Sequence, residues 1–215
     1  LMENSSHPPP VKPLFVRREL LQVPMTLGPI AWFASRLSAS PFTARFSPLD
    51  FGASGNGQTD DTRAVQLAAD AAMRSGGTLW IPPDYVFGIS QNIFIRNSVK
   101  SVAGPGTLRI LPSAVHGCAI VGAGRASGNK ENLSDCVFKD FVFDTNHRPS
   151  LGLYFQNAQR CGAVNVKVLN ATASGIGILF KSFAAGGEPG RENFARGCMV
   201  ERDRAQQLRG SAGIA

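Results

Sequence analysis

Residues 50–72 read DFGASGNGQTDDTRAVQLAADAA. A glycine-rich loop, a pair of carboxylates and an alanine-rich run follow one another there, and short β-type segments come after them. Val65, Ala68, Ala69 and Ala72 recur at three- and four-residue spacing, which places them on one narrow apolar face of a helix over residues 60–74. Thr59 or Asp60 stands where an N-cap belongs, because either side chain can accept a free amide hydrogen of the first turn. Asp60 and Asp61 both suit the positive end of the helix dipole, and Gly76 and Gly77 supply a left-handed stop. Helix capping therefore explains both carboxylates and their position; a catalytic dyad is the alternative.

Behind the helix comes GTLWIPPDYVFGIS, residues 77–90, which reads as an apolar strand, a Pro-Pro corner and a second strand. Together the two segments resemble the opening of the pectate-lyase superfamily, the right-handed parallel β-helix proteins that include polygalacturonase-type glycoside hydrolases. The resemblance rests on Asp50, Phe51, Gly52, Ala53, Gly55, Gly57, Asp60, Asp61, Thr62, Gly76, Gly77, Pro82 and Tyr85. Asn56 stands where Asp is commoner in that family, and the Pro-Gly-Thr-Tyr corner is changed to PPDY. The resemblance implies an all-β fold, a right-handed parallel β-helix or solenoid, whose N-terminal end is capped by the α-helix. It speaks to the fold more firmly than to a reaction.

A countable repeat supports the same fold independently. GLYF at 152–155 recurs as GILF at 177–180, a shift of 177 − 152 = 25, and Cys136 recurs as Cys161 with the same shift. In that frame Phe141 and Phe143 fall on Val166 and Val168, and Val142 falls on Lys167. Alternation of this kind puts Phe141 and Phe143 inward and position 142 outward. A period of this size with short β runs is the mark of stacked coils sharing one core. Asn193 lies 193 − 157 = 36 after Asn157, which predicts an insertion of 11 residues before a further coil. Cys136 and Cys161, at equivalent places in successive coils, read as stacked buried thiols rather than as a disulfide.

Composition fits one sizeable domain: 215 residues, 23 of them Gly, with only 17% charged. The net charge of +7 allows an anionic partner. That partner could be nucleic acid or an acidic polysaccharide; the basic residues are scattered and accompany no nucleic-acid-binding motif, so nucleic acid is not expected. The four cysteines have no CxxC spacing, so no metal site is expected, and no apolar run is long enough to span a membrane.

Residues 1–45 read as a disordered leader or export signal, and 46–215 as the β-helix domain. HPPPVKP is followed by Arg17 and Arg18, a mildly apolar segment, and small residues at Ser38, Ala39 and Ser40. The RRELL run resembles a twin-arginine signal, which implies work outside the cytoplasm. At the other end, Arg202 and Arg204 put charge where inward positions are expected. Either residues 201–208 form a short helix, or the chain is the front part of a longer, here incomplete, β-helix.

The resemblance implies action on acidic, pectin-type polysaccharide, by hydrolysis or by elimination. The hydrolase relatives carry N-T-D, D-D, G-H-G and R-I-K on successive coils, and none of these occurs here outside the Asp60–Asp61 pair. No catalytic residue is therefore assigned. No cofactor is expected, calcium entering only for a lyase. The densest polar group is DTNHRPS at 144–150: Asp144 opens it, His147 can move protons near neutral pH, and Arg148 can pair with a uronate carboxylate. Lys167 faces outward and adds a cation to such a groove. The alternative to an enzyme is a non-catalytic, tailspike-like or surface module that holds glycans or gives support, and a trimer is expected in that case.

Overall fold

The computed structural model describes residues 44–96, 99–114, 120–123, 133–181 and 190–202. The leader, with Arg17 and Arg18, lies outside the described residues, as does Arg204.

The described chain winds in coils. The first contains strand β1 (Arg45–Phe46), a 3-10 turn at Pro48–Phe51, β2 (Asn56–Asp60) and helix α1 (Thr62–Ser75). The second holds β3 (Thr78–Trp80), β4 (Val86–Ile89) and β5 (Ile93–Ile95). Then come β6 (Ser101–Ala103), β7 (Thr107–Ile110) and β8 (Ile120–Ala123), followed by β9 (Val137–Lys139), β10 (Val142–Asp144) and β11 (Leu151–Gln156). The fifth coil is β12 (Gly162–Val164), β13 (Lys167–Ala171) and β14 (Ile176–Lys181), and β15 (Phe194–Arg196) and β16 (Met199–Arg202) begin a sixth.

From β3 onward every third strand pairs, and β1 and β2 pair with β3 and β4, always in parallel, which generates three sheets. Sheet A runs β1-β3-β6-β9-β12-β15, sheet B β2-β4-β7-β10-β13-β16, and sheet C β5-β8-β11-β14. The fold is mostly β, with parallel sheets and one helix. In chain order α1 stands where the first strand of sheet C would otherwise be.

Register aligns the inward side chains into stacks. On sheet A, Leu79, Val102, Phe138 and Ala163 are successive partners, and all are buried. Sheet B stacks Phe87, Leu108, Phe143 and Val168, and sheet C stacks Ile93, Ile120, Leu153 and Ile178. Each such side chain contributes about 1.5–3 kcal/mol on leaving water, so the stacks are the main stabilising term. Phe155 joins two coils, with its ring 4.9 Å from that of Phe138 and 4.8 Å from that of Phe180. Phe141 and Phe143 point inward with Val166 and Val168, while Lys167 is exposed, as the alternation predicts. Cys136 and Cys161 are buried and unbridged, and the Cys136 amide donates to the Cys161 sulfur at 3.5 Å.

The corners use residues that tolerate a left-handed backbone. Asp140 (φ 62°), Asn165 (φ 53°) and Gly197 (φ 60°) each follow a sheet A strand, and Asn165 donates to the Asp140 carboxylate at 3.1 Å. Where coils approach most closely, side chains vanish. A Cβ on Gly152 would lie 2.2 Å from the Gly177 carbonyl oxygen on the neighbouring strand, so only glycine fits.

Helix α1 begins at Thr62 rather than at residue 60, and its N-cap position is Asp61 rather than Thr59 or Asp60. The Asp61 carboxylate makes no cap bond, because it accepts from the Ser54 amide at 2.7 Å and the Gly55 amide at 3.0 Å and so closes the glycine-rich loop. Asp60 takes a first-turn amide instead, that of Thr62 at 3.0 Å, while the Thr59 hydroxyl accepts from Asn56. The apolar face of α1, from Ala64 and Val65 to Ala71 and Ala72, is buried.

Its polar stripe meets strand β5, the edge of sheet C. Gln66 donates to the Phe94 carbonyl at 3.0 Å and accepts from the Phe94 amide at 2.9 Å, as a neighbouring strand would. Thr62 accepts from the Ser90 amide at 2.8 Å, and the Met73 sulfur accepts from the Arg96 amide at 3.1 Å.

Two spacing expectations change. Cys161 and its partner coil are related by 194 − 162 = 32 residues in the β12–β15 pairing, so the excess over 25 is 7 rather than 11. Asn193 falls opposite Cys161, whose amide it accepts at 3.1 Å, and not opposite Asn157. Glu201 and Arg202 belong to β16, because their backbone continues the parallel ladder with β13, so a helix does not begin at 201.

Replacing Gln66 by Ala removes both bonds to Phe94. The expected cost is about 2 kcal/mol, read from urea denaturation, with self-association through the freed edge seen by sedimentation velocity. An unchanged midpoint would show that the pairing contributes nothing.

Candidate functional site

Sheet B carries the polar cluster that the sequence singles out, and it spans three coils. Gly88, Arg109, Asp144 and Leu169 are successive register partners, so Arg109 lies beside Asp144 although 35 residues separate them. Asp144 follows the inward Phe143 and points to the outer side, yet it is only 6% exposed because neighbouring side chains cover it. Its Oδ2 accepts from Arg109 Nε at 2.8 Å; its Oδ1 accepts from Asn170 Nδ2 at 2.7 Å and from the Asn146 amide at 2.8 Å. One carboxylate thus joins the coil before it to the coil after it.

Burial by itself would push the Asp144 carboxyl up, but the hydrogen bonds from Asn170, Asn146 and Arg109 and the guanidinium charge together hold it below the usual carboxylate range. A general acid near neutral pH needs the opposite shift. Asp144 therefore works as an ionised anchor.

The rest of the cluster hangs on that anchor. Asn146 and His147 both adopt left-handed backbone, φ 52° and 56°, which turns the chain out of β10 and exposes His147. Asn146 also donates to the Ile110 carbonyl at 3.0 Å, and Arg148 Nη2 donates to the Ala114 carbonyl at 3.1 Å. Lys167 projects from β13 on the outer face of sheet B, between its register partners Val142 and Met199. The structure brings Asp144, Asn146 and Arg148 together at the end of β10. Lys167 lies across the sheet face, and Lys181 of the same coil belongs to sheet C.

Arg109 is the residue that sequence reasoning missed. Its side chain is 39% exposed, so while Nε pairs with Asp144 the guanidinium also faces the outer side of sheet B. With Lys167 it gives this face two cations, and Thr107, Val142, Leu169 and Met199 supply partly apolar ground between them. The face can recognise an extended anionic chain. Among the described residues no group of three His, Cys, Asp or Glu side chains is placed to hold a metal ion, and no helix is long and apolar enough to cross a membrane.

Fold and site together define a parallel β-helix with a mixed basic and apolar outer face. No family model matches the chain. It is 59% identical over 105 residues to alginate lyase 7 of Azotobacter vinelandii, covering 45% of this chain and 12% of that protein. Over 57 residues it is 46% identical to a capsule-specific depolymerase of Klebsiella phage K5-2, covering 26% of this chain and 7% of the depolymerase. The chain thus spans a small part of the curated relatives it matches. Among solved structures, the tailspike protein of E. coli bacteriophage HK620, in complex with a pentasaccharide, superposes with a TM-score of 0.54 at 14% identity, over 76% of this chain and 36% of the tailspike. The ORF18 product of Geobacillus virus E2 gives 0.57 at 14% identity, over 76% of this chain and 39% of its own. At that identity the two structures share the fold.

The depressed Asp144 carboxyl has a pH consequence. Its stabilisation is fully present above the unfolded value of about 4 and is lost as pH falls through the lower folded value. Asp144→Asn should cost about 2 kcal/mol at neutral pH, less than for a wholly buried pair because Arg109 is partly exposed. The variant should also lose less stability than the parent between neutral pH and pH of about 3. Urea midpoints at the two pH values check both; parallel losses in parent and variant would remove Asp144 from the acid response.

Proposed function

We propose that this chain is part of a carbohydrate-active β-helix protein that binds, and in its whole form cleaves, acidic polysaccharide. The observation that carries this reading is the 59% identity over 105 residues with an alginate lyase. The polymer class is then uronate-containing, alginate type before pectin type. The outer face of sheet B suits such a polymer, since a regular array of carboxylates can meet Lys167 and Arg109 while sugar C–H faces lie on Val142, Leu169 and Met199. His147 and Arg148 stand at the end of the same face and would bound the groove. Elimination needs a base and a neutralised carboxylate; Arg109 and Lys167 supply the neutralisation, and no base is assigned.

The finer fold reading belongs with this proposal. The strand-to-strand connections are taken as right-handed, as parallel crossovers are, and α1 as the N-terminal cap, on the support of its bonds to β5. Membership of the pectate-lyase superfamily and export, with a twin-arginine signal, complete the reading.

A second reading is a non-catalytic glycan-holding module, trimeric like a spike. The commitment of Asp60, Asp61 and Asp144 to structural hydrogen bonds favours it, since all three carboxylates already accept from protein donors.

The test is isothermal titration of the purified chain with alginate, polygalacturonate and neutral dextran. Both uronans should bind and dextran should not, and the binding should weaken strongly at about 0.5 M salt, where the screening length is roughly 4 Å. Lys167→Gln should weaken alginate binding about threefold. Binding that ignores salt, or no binding to either uronan, would sink the proposal. Release of unsaturated, ultraviolet-absorbing sugar favours the enzyme; stable binding by a trimer without product favours the module.

A further inference from the structure

A cleft of about 620 Å³ runs between α1 and strand β5, at the opposite end of the coil stack from β16, and of sheet B it includes only Asp60 at the end of β2, not Arg109 or Lys167. Its size is in the range of small-molecule sites. Two of the exposed large apolar side chains of the described chain line it: Leu67 at 37% and Phe94 at 40% exposure. An exposed ring on an edge strand is costly to leave in water and is a platform for the C–H face of a sugar.

The charges of the cleft are unevenly used. Asp60 accepts from Thr62 and from Ser90, and Asp70 accepts from Gln66 at 2.9 Å. Arg63 and Arg96 also line it, and neither guanidinium makes a hydrogen bond or an ion pair among the described residues. The protein thus occupies oxygens of its acids internally and leaves its two cations to an outside anion. The floor is rigid, because Gln66 holds both backbone groups of Phe94. Side-chain amides at Gln91 and Asn92 complete the rim.

We propose that this cleft is a second saccharide site, taking a short carboxylated oligosaccharide with one sugar face on Phe94 and carboxylates of its units on Arg63 and Arg96, which stand toward opposite ends of the cleft. Planar guanidiniums suit a carboxylate, and an aromatic ring beside them orients a pyranose. The ligand class rests on the polysaccharide reading above; the position does not, since neither Arg109, Asp144 nor Lys167 lines the cleft. The site would hold the chain end or a side branch of the polymer whose length lies along the coils.

The test is calorimetric titration of the full chain with a mannuronate trisaccharide, a galacturonate trisaccharide and neutral cellotriose. Arg63→Gln and Arg96→Gln, both at exposed positions, should each weaken uronate trisaccharide binding about fivefold or more, and Phe94→Ser should weaken it further, with melting temperatures close to the parent. Lys167→Gln should leave trisaccharide affinity unchanged while lowering affinity for long alginate. Trisaccharide affinities that the three cleft substitutions leave intact would overturn this inference, and persisting alginate binding would then leave the broader reading standing. Equal affinity for cellotriose would overturn the assignment of a carboxylate ligand. If no uronate probe binds, long or short, both fall.

Discussion

A stack of parallel coils depends on how its edge strands find hydrogen-bond partners. Each parallel strand here obtains its hydrogen bonds from the coil before and the coil after, so the first strand of sheet C would present a bare row of amides and carbonyls. Gln66 answers for Phe94 with one side-chain amide, donating and accepting within 3.0 Å. Thr62 and Met73 take the amides on either side, of Ser90 and Arg96. One helix stripe therefore presents to β5 what another strand would have presented, while the alanines on its other face enter the core. The loop before it is held by Asp61, so the opening sequence acts as one unit: loop, clamp, helix and edge.

Once the edge is satisfied, the coils repeat by two devices. Inward stacks such as Phe87, Leu108, Phe143 and Val168 bury apolar surface that no single coil could bury. Corners such as Asp140, Asn165 and Gly197 turn the chain through left-handed positions where Asn, Asp and Gly cost least. The exposed Arg160–Asp135 pair, at 2.6 Å, sits on another corner and adds little in water. Asp144 is different in kind, because its partners Arg109 and Asn170 come from the two adjacent coils and the carboxylate is covered. It fastens three turns of the stack at one point.

Sequence periodicity made the fold legible where coils repeat without interruption. Phe141 and Phe143 map onto Val166 and Val168 because both coils share the same length, and the structure keeps that register. Arg109 stayed hidden because its coil reaches Asp144 through 144 − 109 = 35 residues, a spacing that no 25-residue frame reveals. The same limit shifted Asn193 out of place, since a loop of changed length moves every later correspondence. Thr59, Asp60 and Asp61 show a second limit: all three are good cap residues by type, and the choice among them was made by partners 6, 7 and 30 residues away, Gly55, Ser54 and Ser90. Local propensity named the segment, and tertiary bonds distributed the roles.

The same distribution decides what the site can do. The donors around Asp60 and Asp144 hold both carboxyls below the usual carboxylate range, which removes these two from acid catalysis near neutral pH, and Asp61 is occupied by the Ser54 and Gly55 amides. Cations have the opposite fate: Lys167 is exposed, Arg109 is half committed, and Arg63 and Arg96 have no protein partner among the described residues. In a chain of net charge +7, these outward cations are the groups that would meet an anionic ligand. On the readings proposed above, the outer face of sheet B would take the length of an anionic polymer, whereas the cleft beside Phe94 would take a single sugar unit or two. The two proposed sites thus rest on different elements of the described coils, the first on the strands of sheet B and the second on α1 and β5.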